Sequence, residues 1–234
     1  MKKFIFLLSI LMFSSNNFAV NVNTYIPPQA FKYKEIIQLD IELYFKNIPE
    51  PNYIPSLIEH ESCISLTHKR CWNPSSQLKT SRELGIGVGQ LTKAYNKDGS
   101  IRFDALKEIR DKHKADLKEL SWENIAVRPD LQIRAMTLML RDLNKQLYNV
   151  PDIMNRLHMV DASYNGGLGG LLKERRACAL AANCDPNIWF KNIENYCLKS
   201  KKVLYGNRSA CDINRHHTYI IFKSILPKYK KQYF

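Results

Sequence analysis

Residues 54–66 read "IPSLIEHESCISL". Ile54, Leu57, Ile58, Glu61 and Ile64 follow the i, i+3, i+4, i+7 spacing that gathers side chains on one face of a helix. The spacing predicts a helix over 52–64, with Pro55 tolerated in its first turn. Glu61 then falls in the apolar stripe, whereas Glu59 lies about 200° round the helix and is expected to be solvated. A carboxyl partly removed from water resists ionisation, which suits a general acid working near neutral pH. The plain alternative is a structural carboxyl paired with a core arginine or reaching water at the stripe's edge.

The pattern on either side is also helical. Helices are predicted over 29–45, over the charged stretch 103–120, over 131–147 and over 152–164, with two more between 186 and 234. The 131–147 helix is apolar round much of its circumference, as expected of a central core helix. Gly166 and Gly167 stop the helix before them. Residues 66–100, rich in Ser, Asn, Gly and Lys, read as irregular. Alternating strand patterns are scarce. The expected fold class is mainly α, one globular domain with few or very short strands.

The first 19 residues, "MKKFIFLLSILMFSSNNFA", have two lysines, an apolar run and a small residue at the end. This is the layout of a secretory signal peptide with cleavage after Ala19. The apolar run is about half of the ~20 residues a spanning helix needs, so no stable membrane span is expected after cleavage. The expected organisation is a signal over 1–19, an N-terminal helical segment over 20–50, and the main domain with a helical extension over 51–234. Export places the protein in the periplasm or outside the cell.

Six cysteines lie beyond the signal: Cys63, Cys71, Cys178, Cys184, Cys197 and Cys211. An even number in an exported chain points to disulfides. Joining sequence neighbours gives 63–71, 178–184 and 197–211, one of many possible pairings. No CxxC spacing exists to favour zinc, and His216 and His217 would need ligands from elsewhere; no metal is expected. The formal net charge is +13, of which Lys2 and Lys3 leave with the signal. So basic a chain is drawn to polyanions, and for an exported protein these are cell wall or lipid head groups rather than nucleic acid.

Three further stretches matter with Glu61-Ser62: Asn73-Pro74, then Gly87-Val88-Gly89-Gln90-Leu91, then Ser163-Tyr164-Asn165-Gly166-Gly167. In this order and at these separations, residues 50–170 resemble the lytic transglycosylases of the soluble type (the SLT domain), relatives of goose-type lysozyme. Three departures stand out. Gly89 occupies a position where that family often has Met or Phe, Thr92 is not followed by proline, and Ser163 replaces alanine.

The resemblance implies a lysozyme-like fold and cleavage of the β-1,4 bond between N-acetylmuramic acid and N-acetylglucosamine in peptidoglycan glycan strands. It implies Glu61 as the one catalytic carboxyl, acid first and base afterwards, with no cofactor. Ser62, Gly87, Gln90, Tyr164, Asn165 and Gly166 are then the expected substrate-binding residues, each with a local structural role as its alternative. Glu83, just before the glycine turn, is either a second carboxylate near the sugar or a structural partner. A hydrolase on the same fold, as in a phage lysin, and a wall-binding protein without turnover are the competing functions. A secretion-system or lysis partner is compatible with each.

Overall fold

A computed structural model describes residues 21–234; the signal-peptide expectation lies outside the described residues. Two short N-terminal helices, α1 (Pro28–Phe31) and α2 (Lys34–Tyr44), lead to α3 (Tyr53–Ser62). Four strands follow: β1 (Gln77–Lys79), β2 (Glu83–Ile86), β3 (Leu91–Tyr95) and β4 (Ile101–Asp104). They form an antiparallel sheet in the order β1-β2-β3-β4. Helices α4 (Ala105–Lys112), α5 (Lys114–Leu117), α6 (Pro129–Gln146), α7 (Ile153–Gly166) and α8 (Leu168–Ala179) come next. A two-stranded ribbon, β5 (Val203–Tyr205) with β6 (Arg208–Ser209), precedes α9 (Ala210–Ile220), a π turn at Ile221–Ile225 and α10 (Leu226–Gln232). The architecture is mainly helical with a small sheet, as expected.

Helix α6 organises the core. Pro129 opens it, where a missing N–H costs nothing. Its Ile133, Met136 and Leu140 enter one apolar cluster with α3, α7 and the C-terminal helices. Its Leu131, Ala135 and Leu138 enter a second cluster with Leu91, Leu106 and Ile109, beneath the sheet. One helix thus serves both sides of the domain. Ile26, Ala30, Ile37, Phe45 and Ile48 belong to the first cluster, so residues 26–48 share the core of the main domain.

The irregular reading of 66–100 is corrected by the sheet. The predicted start of the helix over 103–120 is likewise corrected: β4 takes residues up to Asp104, whose side chain then caps α4 by accepting from the Lys107 amide. The short strands escape a search for alternation because β1 is exposed throughout and only Gly85 of β2 is buried. Three disulfides join Cys63–Cys71, Cys178–Cys184 and Cys197–Cys211, the neighbour pairing, and they suit an oxidising compartment. Among the described residues, no helix is long and apolar enough to cross a membrane.

Candidate functional site

Helix α3 is buried on every side from Tyr53 to Glu59. It reaches open space only in its last turn. The periodic stripe was therefore a poor guide to which carboxylate is solvated, because a helix enclosed all round has no polar face. Glu59 is corrected from solvated to buried, at 4% exposure. Its Oε1 lies 2.7 Å from the Lys228 ammonium and its Oε2 accepts from the Tyr229 hydroxyl at 2.8 Å. Burial raises the Glu59 pKa, against the pull of Lys228 and Tyr229.

Glu61, by contrast, borders a cleft of about 1010 Å³. The cleft is lined by the ends of α3 and α7, by the C-terminal segment, by the sheet and by α4 and α6. Ser62, Glu83, Gln90, Tyr164, Asn165 and Gly166 line the same cleft. Segments from His60 to Ile213 therefore converge on one opening.

The local hydrogen bonds show what each residue does for the fold. Ser62 donates to the Ile58 carbonyl at 2.7 Å and accepts from the Trp72 amide at 3.0 Å. It locks the end of α3 to the loop closed by Cys63–Cys71. Gly87 is buried, with Gly85 and Gln90 on either side of it lining the cleft. Its φ of +92° favours glycine, and an added Cβ would collide with the Gln132 side-chain amide. The Gln132 side-chain oxygen accepts from the Val88 amide at 2.8 Å, while the Gln132 amide donates to the Pro74 carbonyl at 3.0 Å. Buried Gln132 on α6 thus fastens the Asn73-Pro74 stretch to the glycine turn, a residue the sequence reading missed.

Gln90 donates to the Gly87 carbonyl at 2.8 Å and so braces its own turn, while its side chain borders the cleft. The Tyr164 hydroxyl donates to the Gly89 carbonyl at 2.6 Å. Gly89 has a physical reason here: an added Cβ would meet the Tyr164 oxygen at 3.0 Å and the Met136 sulfur at 3.1 Å. Met136 and Tyr164 fill the space a larger residue would need. Asn165 accepts from Asn214 at 2.9 Å, and the Gly166 carbonyl accepts from Lys199 at 3.0 Å.

The partner of Glu61 lies 156 residues away. Its Oε1 is 2.8 Å from Nε2 of His217 on α9, and Nδ1 of His217 is 3.0 Å from Oδ2 of Asp161 on α7. The other oxygen of Asp161 accepts from the Tyr53 hydroxyl at 2.9 Å. His217 is 3% exposed, and Asp161 and Tyr53 are fully buried. Burial opposes a charge on the His217 ring, but the Asp161 carboxylate and the hydrogen bonds to Asp161 and Glu61 overcome it and raise the pKa to about 10. Burial acts to raise the Asp161 pKa, yet His217 and the Tyr53 hydroxyl bring it below the ordinary value. The two carboxylates thus favour the imidazolium form of His217, which donates through both nitrogens. The ring of His60 meets it edge-on at 4.5 Å; burial, then the His217 charge, lowers the His60 pKa to about 3 and keeps that ring neutral.

Asn214, on the same helix as His217, donates to the Ala162 carbonyl at 2.9 Å. Cys211 in its first turn is tied to Cys197. The C-terminal extension, beyond the stretch that carries the resemblance, thus completes the site. Among the described residues, no group of three His, Cys, Asp or Glu side chains is placed to hold a metal. No family model matches the chain, and no curated protein matches it significantly.

Proposed function

We propose that the chain is a peptidoglycan lytic transglycosylase of lysozyme-like fold, with Glu61 as its catalytic residue. The observation that carries this reading is the convergence of Glu61, Gln90 and Tyr164-Asn165 on one large cleft. Protonated Glu61 donates to the glycosidic oxygen between N-acetylmuramic acid and N-acetylglucosamine. That oxygen leaves with the bonding electrons, and the 2-acetamido carbonyl assists at the anomeric carbon. Ionised Glu61 then takes the proton of the muramic 6-hydroxyl, whose oxygen attacks the anomeric carbon and closes a 1,6-anhydro ring. One carboxyl suffices, in contrast to the pair used by most glycosidases.

Glu83 also borders the cleft, and this favours a hydrolase as the second reading, with water in place of the 6-hydroxyl. Mass spectrometry of muropeptides released from purified wall decides between them. Anhydromuramic ends support the transglycosylase, and reducing ends support the hydrolase. Release of neither by the folded protein sinks both and leaves a wall-binding role.

A further inference from the structure

We propose that His217 is a positioning residue for Glu61: by donating from Nε2 to Oε1, it leaves Oε2 as the oxygen that carries the transferable proton into the cleft. The proposal rests on the reading of Glu61 as the acid. Its basis is geometric. The Nε2–Oε1 contact is 2.8 Å, and among the described residues Oε1 has this partner whereas Oε2 makes no hydrogen bond.

The ring's state decides which oxygen of Glu61 can carry the proton. With Nδ1–H held by Asp161 at 3.0 Å, an imidazolium also donates from Nε2, so a proton on Glu61 must reside on Oε2. A neutral ring with its proton on Nδ1 would offer Nε2 as an acceptor instead. The Glu61 proton would then point at His217 and away from the sugar. Buried Asp161, fixed by Tyr53, holds the ring in the donating state.

The charges around the ring agree with this. Glu61 and Asp161 face it from α3 and α7, and both favour the cation. Neutral His60 meets the ring edge-on, and Arg208 on β6 helps keep both His60 and His216 uncharged. The two carboxylates touch the ring directly, at 3.0 and 2.8 Å.

The test has two arms on the mature protein. In the first, kcat and KM are measured on purified wall for His217→Leu and Asp161→Asn. Loss of the donor should lower kcat by about 10²-fold or more, the scale of general acid catalysis, with KM little changed. Asp161→Asn should fall much less. Tyr53 holds the Asn carbonyl, so the amide N–H2 turns to Nδ1, and Nε2 keeps the ring proton and still donates. A kcat for His217→Leu within a few-fold of wild type, or a fall confined to KM, overturns the proposal. The second arm covers a misfolded variant or an inactive wild type. It follows the His217 ring by NMR titration in wild type and Glu61→Gln. Coupling is reciprocal, so loss of the Glu61 carboxylate should lower the pH at which His217 gives up its proton. An unmoved titration overturns the proposal whether or not the protein cleaves glycan.

Discussion

Glu59 and Glu61, two residues apart on α3, end in separate hydrogen-bond systems: Glu59 with Lys228 and Tyr229 in the core, Glu61 with His217 at the cleft. Lys228 also donates to the Tyr25 carbonyl at 3.0 Å, so the Glu59 pair ties α3 and α10 to the start of the described chain. The two carboxyls therefore sit in different surroundings, one enclosed in the core and one at the edge of the cleft.

Their substitutions should separate accordingly. Glu61→Gln keeps the shape but cannot supply a proton, so wall lysis should fall by ~10²–10⁴-fold, while the lost attraction to His217 should lower the melting temperature less than Glu59→Ala does. Glu59→Ala leaves Lys228 as a buried cation without its counter-charge, and breaking such a pair costs roughly 3–5 kcal/mol. Denaturant unfolding beside turnover checks both. A stable Glu59→Ala protein would show that the Lys228 pair contributes little.

Stability should peak near pH 6.5. The folded pKa of His217, about 10, exceeds its ordinary 6.5, so its contribution is fully present below pH 6.5 and is lost as pH rises through 10. The folded values of His60 and His158, about 3 and about 4, lie below the ordinary one. Burial is the main cause for each, so their contribution is present above pH 6.5 and lost as pH falls towards those values. Melting temperature followed from about pH 4 to pH 9 should rise, then fall. His217→Gln should flatten the alkaline decline, and an alkaline decline of wild-type steepness in that variant contradicts the assignment.

Much of this site was legible because its pieces are local. Glu61-Ser62, the glycine turn and Tyr164-Asn165 each occupy one short stretch whose side chains the backbone itself places. His217 was not legible, since nothing near it in sequence announces that it will meet α3 and α7. A signal did exist: Asp161 lies among the buried residues of α7, and a buried carboxylate needs a partner. The sheet was missed for a different reason. Its strands use Leu91 and Ala94 as their main core contacts, too few to print an alternating pattern. The Glu59 assignment failed because amphipathic reasoning requires a wet face, which α3 lacks until its last turn.

The disulfides should differ in their effect on turnover. Cys197–Cys211, with a separation of 14 residues, anchors the first turn of the helix that carries His217. Cys178–Cys184, with a separation of 6, joins the end of α8 to the loop after it and borders no part of the cleft. Loss of either by paired Cys→Ser substitution should cost stability, typically ~2–5 kcal/mol for a secreted domain. Loss of Cys197–Cys211 should in addition lower kcat under conditions where both variants are folded by circular dichroism. Equal kcat values would mean that packing alone, through Asn214 and its bonds to α7, holds His217 in place.

Salt should act on binding more than on chemistry. The strongly basic balance that remains of the formal +13 once Lys2 and Lys3 leave with the signal favours adsorption to a wall bearing phosphate and carboxylate groups, and exposed attractions fade beyond a Debye length of ~8 Å near physiological ionic strength. Added salt should therefore raise the apparent KM on whole wall. Turnover at saturating substrate should change less, because His217 and Asp161 are buried beside Glu61, where screening by mobile ions is weak. Short muramic-containing glycan oligomers with the lactyl carboxyl amidated are the control, since they engage the cleft without the wall's charge. If their cleavage declines with salt as steeply as that of whole wall, the basic surface is not what brings the protein to its substrate, and the effect belongs to the cleft itself.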